Sequence, residues 1–184
     1  PTVFYKREAG VVDDVIPDKA FYNKKSLYYF TFPEKVTEIG CSAFSGSSIS
    51  GALVIPDGVK YIFELGFIAT NISSVQFPDN LEIIDESAFS RCSSLSGTLS
   101  LPETLRYIGS RAFALCSLTG NLFLPQSLEY IGREAFNSTD YFVGGLSIPE
   151  KITKIYDGTF VTGIGNYKFD GVLNLSNVTI IGDE

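Results

Sequence analysis

Thr98-Leu99-Ser100-Leu101-Pro102, then Leu105, Ile108-Gly109, Ala112-Phe113, Cys116, Leu118 and Gly120, is one unit of a pattern that fills the chain. Leu99 and Leu101 alternate with Thr98 and Ser100, the period-2 mark of a half-buried strand. Pro102 has no N–H and ends that strand's ladder. Leu105 and Ile108 bring the chain back to the core, and Gly109 is read as a tight turn. Ala112 is small where neighbouring coils crowd, and Phe113 fills the space between layers.

Outward from this unit the pattern recurs every 22 to 24 residues. Prolines stand at Pro33, Pro56, Pro78, Pro102, Pro125 and Pro149. Phenylalanines stand at Phe21, Phe44, Phe67, Phe89, Phe113, Phe136 and Phe160, seven of the fifteen in the chain. A period in this range means stacked coils, because one repeat cannot bury its apolar side alone. Departures occur: Gly66 and Thr159 replace the small Ala, while Phe63, Asp85 and Tyr156 replace the turn Gly. The expected organisation is an N-terminal cap over residues 1–14 and a solenoid over 15–184. That solenoid holds about six full repeats plus partial ones at both ends. The opening Pro1 and the partial final repeat read as a piece of a longer chain.

Composition narrows the function. The chain has 184 residues, 45% of them hydrophobic, a folded rather than a disordered composition. Its net charge is −7 and its Lys and Arg are scattered. Phosphate binding depends on clustered cations, so nucleic acid is not an expected partner. No apolar run approaches the ~20 residues that span a membrane. There is no His, which removes the usual general base and excludes Ser-His-Asp and Cys-His chemistry. Cys41, Cys92 and Cys116 lack the short paired spacing of a zinc site. No catalytic residue, metal or cofactor is expected.

Cys92 and Cys116 occupy the same repeat position, within disulfide reach on adjacent coils. Buried thiols packing as small hydrophobes is the favoured alternative. Sequons occur at Asn71, Asn137, Asn174 and Asn177 and bear on the protein only in a eukaryotic secretory route.

The word Leu-x-Leu-Pro-x-x-Leu-x-x-Ile-Gly-x-x-Ala-Phe-x-x-Cys-x-x-Leu, over Leu99 to Leu118, resembles the BspA-type leucine-rich repeat. The resemblance implies a right-handed stack of short β-strands, turns and short helical segments. It also implies a secreted or cell-surface protein that adheres to host or neighbouring-cell proteins or glycans. It carries over no functional residues.

Two repeat positions become candidate surface columns. The first is Thr31, Val54, Gln76, Ser100, Phe123, Ser147 and Asn174, small and polar except for Phe123. By analogy it lines the concave sheet. The second is Glu38, Tyr61, Ile83, Tyr107, Tyr130 and Lys154, immediately before the returning Ile. Tyr61, Ile83, Tyr107 and Tyr130 place large groups where alternation expects exposure, and tyrosine carries much contact area at little entropic cost. The plain alternative is that these residues are good strand formers supporting one another across strands. Beside them Lys60, Glu82, Arg106 and Glu129 alternate in sign, a ladder suited to register and solubility.

The expected function is a non-catalytic extracellular recognition or adhesion module binding a protein or glycan through Tyr61, Ile83, Tyr107, Tyr130, Phe123, Gln76 and Ser100. A spacer that displays another domain is the alternative. A carbohydrate-active enzyme or subunit is a remote third, since only scattered carboxylates support it.

Overall fold

The computed structural model describes residues 14–137, 141–143, 146–156, 158–160, 173–174, 178 and 180–181. The expected cap, apart from Asp14, lies outside these, as do Asn177 and the side chain of Asn174. The chain winds as a parallel β-solenoid. Its longest sheet has six two-residue strands: Val15–Ile16, Glu38–Ile39, Tyr61–Ile62, Ile83–Ile84, Tyr107–Ile108 and Tyr130–Ile131. Each pairs in parallel with the next coil, Glu38 beside Tyr61, Tyr61 beside Ile83, Ile83 beside Tyr107 and Tyr107 beside Tyr130. The returning Ile is therefore the anchor of the sheet. Ile39, Ile62, Ile84, Ile108 and Ile131 are all buried.

This location corrects the analogy drawn from the first column. The continuous sheet runs through the second column, not through the Pro-terminated strands. Those strands pair in separate pieces, among them Ser50–Val54 with Asn71–Gln76 and Leu146–Ser147 with Leu173–Asn174. The first pair carries a register shift between Gly51 and Ala52. In each coil the proline carbonyl closes a turn instead, accepting from the N–H three residues on: Val36, Val59, Leu81, Leu105, Leu128 and Ile152.

The predicted short helical segments are absent among the described residues. Backbone conformation explains it. From Phe21 to Phe113 the residues two before and two after each repeat Phe have positive φ, among them Ser42 (56°) and Gly46 (63°) around Phe44, and Arg111 (57°) and Leu115 (59°) around Phe113. Helix requires successive right-handed residues, and here left-handed residues four positions apart bracket each of these phenylalanines. The result is a ribbon of consecutive turns.

That ribbon hydrogen-bonds between coils. The Phe21 N–H donates to the Ala43 carbonyl, and the N–H of that same peptide unit, on Phe44, donates to Gly66. The relay continues from Phe67 to Ala88, Phe89 to Ala112, Phe113 to Ala135 and Phe136 to Thr159, at 2.7–2.8 Å. Sheet bonds run the opposite way, Lys60 N–H to the Thr37 carbonyl and Glu82 N–H to that of Lys60.

The repeat phenylalanines form the core between these two walls. Phe44, Phe67, Phe89, Phe113 and Phe136 are fully buried. Their rings stack at 5.0 to 5.4 Å, within 11° of parallel, the offset stacking that aromatic quadrupoles favour. Truncating such a ring to Ala costs ~3–5 kcal/mol.

The repeat glycine has a different cause from the tight turn read in the sequence. A Cβ on Gly109 would collide with the backbone N of Glu86 and lie 2.5 Å from the carbonyl carbon of Asp85. Gly132 meets Ser110 in the same way. The coil before each glycine approaches too closely for any side chain.

Candidate functional site

The six-stranded sheet places Glu38, Tyr61, Ile83, Tyr107 and Tyr130 of the second column on one face at the ~4.8 Å spacing of adjacent strands. Tyr61, Tyr107 and Tyr130 are half-buried, as are Glu38 and Lys154 at the two ends. Ile83 departs from expectation. It is only 5% exposed, so it packs between its tyrosine neighbours and leaves a low rung in the stripe.

The Tyr107 and Tyr130 rings stack at 4.7 Å, 8° from parallel. Stacked rings cover each other's faces and present their edges outward. Tyr156 adds a third ring 5.8 Å from Tyr130, with the Lys154 Nζ 4.7 Å above it. At the other end Phe63 lies 6.1 Å from Tyr61. Phe63 and Tyr156 widen the aromatic face beyond what sequence reasoning assigned to it. Both stand where the repeat otherwise has glycine, and that departure is their signal in the sequence.

Burial, then the neighbouring Tyr130, Asp85, Glu86 and Tyr156, push the Tyr107 phenol well above its ordinary value. Its hydroxyl stays a neutral donor and acceptor. Burial also raises the Asp85 carboxyl, and burial followed by Glu86 and Asp85 raises Glu64.

The charged column forms the ladder expected of it. Lys60 and Glu82 approach to 3.8 Å, Arg106 and Glu129 to 4.0 Å, and Lys151 donates to Glu129 at 2.9 Å. The Lys151 hydrogen bond, then its charge and that of Arg106, hold the Glu129 carboxyl below its usual range. Arg106 thus stands between Glu82 and Glu129, and cationic neighbours occupy both carboxylates. That arrangement suits register and not paired acid–base chemistry.

The first column is exposed along its described length. Thr31, Gln76, Ser100 and Ser147 face solvent, with Val54 at 58% and Phe123 at 68%. No continuous sheet joins these residues. Phe123 is exposed and lies outside the six-stranded sheet that carries Tyr61, Ile83, Tyr107 and Tyr130.

Cys92 and Cys116 are not joined. Both thiols are buried and donate to carbonyls, Cys92 to Phe67 and Cys116 to Phe89, each at 3.2 Å. Burial raises both above the ordinary thiol value, so they are packing groups and not nucleophiles. Among the described residues no helix is long and apolar enough to cross a membrane.

A family model for the BspA type leucine-rich repeat region matches residues 14–143 in six copies. No curated protein matches the chain. The fold is similar to that of a leucine-rich repeat protein from Bacteroides ovatus, with a TM-score of 0.55 at 19% identity. That match covers 92% of this chain and 54% of the other, so this chain spans about half its length. A leucine-rich repeat protein of T. pallidum gives a TM-score of 0.49 at 23% identity, over 96% of this chain and 66% of that one. With the repeat model covering most of its length and the stacked coils matching it, the chain belongs to the BspA-type leucine-rich repeat family.

Proposed function

We propose that this chain is a non-catalytic recognition module, secreted or displayed at a cell surface, that binds a macromolecular partner through the tyrosine face of its sheet. The carrying observation is the column Tyr61–Ile83–Tyr107–Tyr130, fixed in parallel register on consecutive rungs. Rigid, half-buried aromatics lose little entropy on contact. The edge-on stacking of Tyr107 and Tyr130 favours a protein over a glycan, because a pyranose ring packs on an exposed aromatic face. The family's association with cell surfaces supports the location.

The experiment is a binding screen of the chain against extracellular matrix proteins and glycans, beside the triple variant Tyr61→Ser/Tyr107→Ser/Tyr130→Ser. Binding by the parent and loss in a folded variant is the expected result. Binding kept by the variant moves recognition to another surface such as the Val54–Phe123 column. Absence of binding by either supports the spacer reading.

A further inference from the structure

The sheet face is complementary to itself when one copy is inverted. Three adjacent columns cross it. The first reads Lys60, Glu82, Arg106, Glu129; the second Tyr61, Ile83, Tyr107, Tyr130; the third Phe63, Asp85, Gly109, Gly132. The second column is carried on rungs of one sheet in the register Tyr61–Ile83–Tyr107–Tyr130, and the first stands one residue before each strand, where the N–H groups of Glu82, Arg106 and Glu129 donate to the carbonyls of Lys60, Glu82 and Arg106. Turning a second copy over about a two-fold axis along the strands, centred between the Ile83 and Tyr107 rungs, reverses the order of every column.

Lys60 then opposes Glu129 and Glu82 opposes Arg106. The low Ile83 rung opposes the taller Tyr107, and Tyr61 opposes Tyr130. Phe63 faces the bare Gly132. The match extends one rung outward at each end. Glu38 faces Lys154, and the Tyr156 ring faces Gly40.

Sliding the copy by one rung destroys this. One direction sets Lys60 against Arg106 and Glu82 against its own symmetry mate. The other sets Glu82 against Glu129 and Arg106 against itself. Like charges held in apposition oppose association, so the ladder selects a single register. Within each copy Lys60–Glu82 at 3.8 Å and Arg106–Glu129 at 4.0 Å are loose, while Glu129 also holds Lys151 at 2.9 Å.

We infer that this face binds a second copy of the chain in an antiparallel, two-fold arrangement. Each surface patch meets itself, as isologous dimers require. This names a partner for the same face on which the proposed function rests. The five sheet rungs from Glu38 to Tyr130 span about 19 Å at strand spacing. The contact therefore lies below the ~800 Å² per partner of a standard interface, and the dimer is weak.

Sedimentation velocity across a concentration series tests it. The average mass is expected to rise from 20.1 kDa toward twice that value as concentration increases, and to fall back as salt screens the ladder. Two charge variants test the register. Arg106→Glu and Glu82→Arg each juxtapose like charges in their own homodimer, so each alone stays monomeric. Mixed together they restore opposite charges at all four positions and dimerise. Matching circular dichroism of both variants with the parent checks that they fold. A parent that stays monomeric into the millimolar range overturns the inference, as does either variant dimerising like the parent. A monomeric parent that still binds a foreign protein through its tyrosines separates this failure from that of the recognition reading.

Discussion

Tyr107 and Tyr130 lie on adjacent rungs of one parallel sheet, their rings 4.7 Å apart and 8° from parallel. The repeat sets this distance, since successive coils deliver the same side chain at strand spacing. The same relationship makes Tyr107 a reporter of the folded face. Its phenol is partly desolvated and surrounded by Tyr130, Asp85, Glu86 and Tyr156.

Tyr107 should therefore ionise at higher pH than an ordinary tyrosine. In a spectrophotometric titration, Tyr107→Phe should remove absorbance from the last phenolate step and leave the early steps unchanged. The sign for stability follows from the raised folded value. Below about pH 10 the phenol is protonated in both states and its contribution is complete. Above that, the unfolded chain ionises while folded Tyr107 holds its proton, so stability falls as pH rises. Chemical denaturation of parent and Tyr107→Phe from neutral to alkaline pH checks this, and the parent should show the steeper loss. Equal slopes would show that Tyr107 does not carry the effect.

Two glycines separate lack of space from backbone conformation. Gly109 does not share the positive φ of Gly97, and the backbone of Asp85 and Glu86 fills the place of its Cβ. Gly97 has φ +79° with nothing within 4 Å of a Cβ. Gly109→Ala must push two coils apart and should cost ~3 kcal/mol or more. Gly97→Ala meets only the left-handed penalty of ~1–2 kcal/mol. Melting temperatures of the two variants check the order, and a larger loss for Gly97→Ala would contradict it.

Leu115 combines φ 59° with 48% exposure. It has little packing to lose and a backbone conformation that leucine disfavours. Leu115→Asn should stabilise the fold by about 1 kcal/mol, because Asn visits the left-handed region readily. The same change at Leu65, also left-handed (60°) but less exposed, should yield less. Urea midpoints for the two variants measure the difference.

Much of the fold was legible in the residues because stacking repeats one environment many times. The positions of Phe44, Phe67, Phe89, Phe113 and Phe136 identified the core ladder, and Ile39, Ile62, Ile84, Ile108 and Ile131 the returning anchor. Exposure of the Thr31–Phe123 column also followed from alternation. Site reading was less complete. Alternation placed Ile83 on the surface, whereas its neighbours Tyr61 and Tyr107 are large enough to close over it. Phe63 and Tyr156 passed for irregularities because only their spatial neighbours make them part of a face.

The period, the core residues and the absence of histidine chemistry follow from residue type and spacing alone. Which strand became the continuous sheet, why left-handed residues interrupt the ribbon behind it so that no helix forms, and why Gly109 and Gly132 serve coil-to-coil approach came from the fold alone. Those outcomes depend on hydrogen bonds between residues more than twenty positions apart, such as Phe44 to Gly66. No single repeat, read alone, contains the neighbour that completes its bonds.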